Sequence, residues 1–220
     1  MSILVTDFDG TMTREDFYWL VLQRHDPPGG RELWRRFERG EVTHFEAMAG
    51  IFAALRTDEA GMASLLDGLD PAPGLGEAVR ELQGAGWEII VASAGCGWYI
   101  DRFLERQRLQ LTVHASPGTW EQEGGLLMEL PVNSPFFHPQ IGIDKPAVVR
   151  AARRSGATVA YAGDSSTDHE ACLLVSPERR FARRGLARRL ATEKVSCVEF
   201  EDWPEIAQRL LASGSEEARP

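Results

Sequence analysis

From Gly74 onward, short apolar, β-branched runs alternate with segments of helical period, and this alternation dictates a doubly wound parallel sheet of the α/β class. The first run, Ile3-Leu4-Val5-Thr6-Asp7-Phe8, reads as a buried strand stopped at Gly10. Further strands are expected at 87–92, 111–113, 158–162, 179–182 and 195–200. Helices are expected near 74–84, 97–107, 144–154, 166–175, 184–192 and 203–212, and a hairpin over 117–131 that turns at Gly124-Gly125. Between Thr13 and Ala72 no strand pattern occurs. Thr13-Arg14-Glu15-Asp16 has the form of a capping box opening a helix, and three more helical patterns follow. The expected organisation is therefore an α/β core from 1–12 and 73–213, a helical insertion at 13–72, and a flexible tail at 214–220.

Composition narrows the setting. No apolar stretch approaches the ~18 residues of a membrane span, and Met1-Ser2-Ile3-Leu4 lacks a basic signal region, so a cytoplasmic protein is expected. Cys96, Cys172 and Cys197 are odd in number and widely spaced, which suits reduced thiols. A net charge of −9 gives no general attraction for nucleic acid or an anionic membrane. Lys145 and Lys194 are the only lysines in an arginine-rich chain. The oligomeric state is not legible.

Residues that could do chemistry fall where strands end. Residues i and i+2 of a strand share a face, so Asp7 and Asp9 point to one place beyond the carboxyl end of the first strand, the edge where open parallel sheets bind ligands. Asp164 ends a second strand, and Asp168 follows one helical turn later. Four carboxylates so gathered are costly without a cation, and Mg²⁺ suits a site of few carboxylates, water and phosphate. Ser93-Ala94-Gly95 offers a hydroxyl and two free backbone N–H groups to an anion. Lys145, in the first turn of its helix, opposes the helix dipole and needs an anionic partner. An EF-hand is excluded because its sixth and twelfth positions would be Met12 and Tyr18. A serine-hydrolase elbow is excluded because Val91 stands where its first glycine belongs.

Together and in this order, Asp7-Phe8-Asp9-Gly10-Thr11, Ser93, Lys145 and Gly163-Asp164 through Asp168 resemble the four motifs of the haloacid dehalogenase superfamily of phosphohydrolases. The helical insertion after the first motif is similar to the cap of its phosphoserine-phosphatase-like branch. The resemblance implies Asp7 as a nucleophile that forms an aspartyl-phosphate, and Asp9 as the acid and base. It also implies Mg²⁺ held among Asp7, the carbonyl of Phe8, Asp9, Asp164 and Asp168, with Ser93, Ala94, Gly95 and Lys145 on the phosphoryl oxygens. Asp164-Ser165-Ser166-Thr167-Asp168, Phe181-Ala182-Arg183 and Phe200-Glu201-Asp202-Trp203 look more like the 2-hydroxy-3-keto-5-methylthiopentenyl-1-phosphate phosphatases of methionine salvage than like phosphoserine phosphatases. The implied activity is Mg²⁺-dependent hydrolysis of a small phosphorylated metabolite. The alternatives are phosphotransfer to an alcohol and a non-catalytic phosphate-binding module. Within the insertion, Arg14 and Tyr18 lie nearest the catalytic loop in sequence and are the expected substrate contacts, while aromatic residues such as Trp34 suit the insertion's own core. The arginines of 179–189 read as a solvated helix face, and His114 and His138 as structural residues.

Overall fold

The computed structural model describes residues 1–217. Strand β1 (Ser2–Thr6) is followed by four helices, α1 (Phe17–Arg24), α2 (Gly30–Glu38), α3 (His44–Ala53) and α4 (Glu59–Asp67). Then come α5 (Leu75–Gly84), β2 (Trp87–Cys96), α6 (Gly97–Gln107) and β3 (Thr112–Ser116). Two small antiparallel pairs interrupt the alternation: β4 (Gly118–Glu121) with β5 (Gly125–Met128), and β6 (Phe137–His138) with β7 (Gly142–Ile143). The chain closes with α7 (Lys145–Arg154), β8 (Thr158–Gly163), α8 (His169–Cys172), β9 (Arg180–Ala182), α9 (Arg184–Thr192), β10 (Val198–Glu199) and α10 (Pro204–Glu217).

The main sheet has the order β10-β9-β8-β1-β2-β3, with every pairing parallel. The chain winds outward from β1 through β2 to β3, then returns to β8 on the other side. That reversal makes the carboxyl end of β1 the crevice where such sheets bind ligands. Thr6 is level with Val91 and with Ala162, so the residues after β1 and β8 emerge side by side. Alternation along β1 sends Leu4 into one apolar cluster and Ile3 and Val5 into the other, one on each face of the sheet.

The helical insertion has no separate core. Phe17, Leu20, Ile51, Phe52 and Leu65 belong to the same cluster as Leu4, Phe8 and Tyr99. Aromatic rings bridge the two: Phe17 stacks on Tyr99 of α6 at 4.2 Å, and Phe52 meets Tyr99 edge-on at 6.1 Å. The hairpin β4–β5 packs on α3, where Gly125 (φ +83°) lies against the Phe52 and Ala53 carbonyls.

Several local expectations are corrected. Thr13 does not cap a helix: its hydroxyl bonds the carbonyls of Phe8 and Glu15, it pairs with Pro71 in an isolated bridge, and α1 begins at Phe17. The chain thus leaves and rejoins the sheet layer at one place. β2 runs on to Cys96, beyond the expected end at 92, through a register shift against β3. The helix expected at 166–175 is a 3₁₀ turn, Ser166–Asp168, followed by the four residues of α8. The β6–β7 pair was not legible. α10 continues as helix to Glu217, so four residues of the expected tail are helical, and 218–220 lie outside the described residues. No helix among the described residues is long and apolar enough to cross a membrane.

Candidate active site

A cavity of about 360 Å³ opens at the carboxyl edge of β1, β2 and β8. Its floor is made by Asp7, Asp9, Ser93, Ala94, Gly95, Lys145 and Asp164, and its far wall by Tyr18, Trp34, Phe37, His44 and Met48 of the insertion. Residues distant in sequence and expected to converge do so here.

Asp7 is the first residue beyond β1, fixed by its backbone N–H bond to the Ala162 carbonyl. Its Oδ2 lies 2.9 Å from Lys145 Nζ, and its Oδ1 accepts the Phe8 N–H at 2.7 Å. Lys145 is fully buried at the start of α7, where Asp144 caps the helix through the Ala147 N–H. Its ammonium also donates to Asp168 Oδ1 at 2.7 Å and to Thr167 Oγ1 at 3.2 Å, so its three protons have three acceptors. Burial alone would discharge this lysine, but Asp168 and Asp7 hold it above its ordinary range.

Asp168 is a hub. Lys145 and Tyr161 donate to Oδ1, while the Asp164 and Ser165 N–H groups and the Ser165 hydroxyl donate to Oδ2. Burial would raise its pKa, yet Lys145 and these bonds hold it below the usual carboxylate value. With both oxygens engaged, it orders the loop that carries Asp164. Burial raises Asp7 well above its usual value, with Asp168 adding to the effect. Burial and then Asp168 push Asp164 up to about 8.

Asp7, Asp164 and Asp168 each bring a carboxylate oxygen within 4.8 Å of the others. Hard oxygen donors so crowded, with Lys145 the one buried ammonium among them, match what a small divalent cation requires. Two expected ligands are corrected. The carboxylate of Asp9 lies outside this group, because its Oδ1 accepts the Phe17 N–H at 2.9 Å and its Oδ2 the Tyr99 hydroxyl at 2.5 Å. The Phe8 carbonyl is turned into the loop, where it accepts N–H groups from Thr11, Met12 and Thr13, and the Phe8 ring is buried in the core. Burial, then Asp16, push Asp9 up to about 7.

Ser93, Ala94 and Gly95 line the floor as expected, although the Gly95 N–H is spent on Ser93 Oγ at 3.0 Å. The hydroxyl proton of Ser93 stays available. A Cβ at Gly95 would overlap the Tyr99 hydroxyl and stand 2.9 Å from Asp9 Oδ2, so glycine is required for close approach.

Of the two expected substrate contacts, Tyr18 lines the cavity, stacked on Trp34 at 4.1 Å. Arg14 does not: it forms a two-pronged bond to Asp202, at 3.0 and 2.7 Å, on the outside of the loop. Trp34 is cavity wall as well as core. Sequence reasoning missed Asp16, Phe37, His44, Met48, Tyr99 and Arg184. Arg184 lines the cavity 3.7 Å from Asp164 Oδ2 and 3.5 Å from Asp16 Oδ2. Arg180 is buried on the carbonyls of Cys172, Val175 and Ser196, so the arginine run is not one solvated face. Arg184 follows the carboxyl end of β9, and the rule that singled out Asp7 and Asp164 could have found it.

Residues 4–173 match the family described as haloacid dehalogenase-like hydrolase. The chain belongs to that family. A 2-hydroxy-3-keto-5-methylthiopentenyl-1-phosphate phosphatase of Bacillus cereus (strain ATCC 10987 / NRS 248) is 23% identical over 220 residues, covering 96% of each chain. The phosphatase of the same name from Bacillus pumilus (strain SAFR-032) is 24% identical over 172 residues, covering 77% of this chain and 74% of that one. Among solved structures, a substrate-bound phosphoserine phosphatase shares the fold, with a TM-score of 0.66 and 15% identity over 94% of this chain and 97% of that one. For a member of this hydrolase family, the acids at the sheet edge are the place to seek its chemistry.

Proposed function

We propose that this hydrolase is a Mg²⁺-dependent phosphatase of small phosphorylated metabolites, working through an aspartyl-phosphate on Asp7. The reading rests on one arrangement: Asp7 paired with a buried lysine 2.9 Å away, with Asp9 and Asp164 lining the same cavity. Asp7 attacks phosphorus, and the bond to the leaving oxygen breaks. Lys145 offsets the repulsion between the Asp7 carboxylate and a phosphate dianion, and the Ser93 hydroxyl donates to a phosphoryl oxygen. Asp9, with a pKa of about 7, is partly protonated near neutrality, so it gives its proton to the leaving alkoxide. The carboxylate left behind then takes a proton from the water that hydrolyses the aspartyl-phosphate. Asp7 and Asp164 would hold Mg²⁺, with Asp168 in support through Lys145 and the Asp164 loop. Bound there, Mg²⁺ supplies the positive charge that screens the phosphoryl oxygens. Residues 13–72 act as a cap over the catalytic core of 1–12 and 73–213, with Tyr18 among its substrate contacts. Within phosphatases, the names of the two Bacillus relatives favour a methionine-salvage substrate over phosphoserine.

The test is turnover of 4-nitrophenyl phosphate by purified protein with and without Mg²⁺. Metal-dependent release of phosphate, lost in Asp7→Asn, is expected. Turnover that ignores the metal, or survives Asp7→Asn, would overturn the reading.

A further inference from the structure

The floor of the cavity is rich in charge, whereas among the lining residues contributed by the insertion the one carboxylate is Asp16. Tyr18, Trp34, Phe37 and Met48 are uncharged, and the one titratable ring beside them is His44. Asp16 is paired with Arg184 at 3.5 Å, and Arg184 lies 3.7 Å from Asp164 as well. We propose that His44 is a specificity-determining residue that hydrogen-bonds an uncharged oxygen of the leaving group, which lies in the slot walled by Tyr18, Trp34 and Phe37. The assignment rests on the phosphatase reading of the same cavity.

Three observations carry it. First, His44 is held in place. It is the first residue of α3, whose N-cap Thr43 and Glu46 form a reciprocal capping box, and its ring meets Phe37 edge-on at 5.2 Å and Trp34 at 6.2 Å. Second, its nitrogens are unspent. Nδ1 is buried without a hydrogen-bond partner, and the ring belongs to a residue that lines the cavity. Burial, with Lys145 adding to it, depresses the pKa to about 4, so the ring offers one donor or one acceptor and no charge. Third, a charged leaving group finds no free counterpart here, because Asp16 and Arg184 are already paired with each other. An ammonium or carboxylate set among the rings would lose water and could gain a partner only by breaking that pair. Tyr18 and Trp34 spend a ring face on each other, which removes those faces from any cation cage. A ketone or hydroxyl on an otherwise apolar skeleton meets every requirement.

The test uses four esters: phenacyl phosphate (ketone), 2-phenylethyl phosphate (no second oxygen), O-phospho-L-serine and phosphocholine. For the Mg²⁺-loaded enzyme, kcat/KM for phenacyl phosphate should exceed that for the two charged esters by at least about tenfold. In His44→Phe, the ratio of kcat/KM between phenacyl and 2-phenylethyl phosphate should fall about tenfold, mainly through KM, and His44→Gln should restore part of it. Thermal melting confirms that each variant is folded. A preference for phosphoserine or phosphocholine, or an unchanged ratio in folded His44→Phe, would overturn the proposal. If no ester is hydrolysed, the ketone-bearing phosphonate isostere of phenacyl phosphate is titrated by calorimetry. Binding that weakens about tenfold in His44→Phe would retain the assignment of His44 and sink the phosphatase reading, and no binding would sink both.

Discussion

The hydroxyl of Tyr99 donates to Asp9 Oδ2 at 2.5 Å while the Tyr99 ring stacks on Phe17, whose backbone N–H holds the other oxygen of Asp9. Helix α6 and the insertion thus each hold one oxygen of the proposed acid. Tyr99→Phe keeps the stack and removes the donor. The expected result is a folded protein with kcat reduced about tenfold and little change in KM, since a hydrogen bond to a charged group contributes roughly 1.5–3 kcal/mol. Steady-state kinetics beside thermal melting checks this.

Gly95→Ala brings a methyl group onto the Tyr99 hydroxyl and toward Asp9. Activity should fall by more than about tenfold while the melting temperature moves only a few degrees, because the clash displaces the acid and not the core. Equal losses of stability and activity would count against this account.

Lys145 separates two buried carboxylates, at 2.9 and 2.7 Å. Lys145→Met leaves both without their cation, and breaking a buried pair costs about 3–5 kcal/mol. Urea denaturation in EDTA should show a loss of that order, partly recovered on adding Mg²⁺. Lys145→Arg should not rescue, since a fully buried ammonium site leaves no room for a guanidinium fork.

The acids also set a pH dependence. Asp9 at about 7 and Asp164 at about 8 lie above their unfolded values near 4, so the folded state binds their protons more tightly. Their contribution to stability is complete below about pH 4 and is lost as pH rises to about 8. His44, depressed to about 4 from about 6.5, acts in the opposite sense: its contribution is present above about 6.5 and is lost as pH falls toward 4. Metal-free protein should therefore lose stability between about pH 6.5 and 8, where only the acids titrate. His44→Phe should steepen the decline between about pH 4 and 6.5. Saturating Mg²⁺ should flatten the alkaline side. Melting temperatures across this range, with EDTA or Mg²⁺, provide the check.

Arg14 supplies a negative control. Its guanidinium is bound to Asp202 and does not line the cavity, so Arg14→Ala should leave KM for a phosphate ester within about twofold. A large rise in KM would return Arg14 to the site.

The acids were legible because strand geometry is local: two residues share a face, and the strand's end fixes where they point. Asp7, Asp9 and Asp164 follow from that rule, Lys145 from its place against a helix dipole, and all four reach one cavity. What escaped depends on non-local pairing. Nothing near Arg14 announces Asp202 as its partner, and nothing near Asp9 announces that Tyr99 and Phe17 take up its oxygens. The Phe8 carbonyl was misplaced because the loop after β1 folds three N–H groups onto it. His44 sits one residue past an N-cap, where sequence pattern gives no sign that an aromatic wall will close around it.

The apolar cluster that runs unbroken from Leu4 and Phe8 through Tyr99 to Phe17 and Phe52 bears on how such a protein can be altered. Helices 13–72 are not a cassette. A segment grafted from a relative would have to complete the sheet's own core as well as present a new wall, or the recipient would lose stability along with its selectivity. Changing what this enzyme accepts is therefore a matter of single side chains on the cavity wall, with the rings behind them left in place.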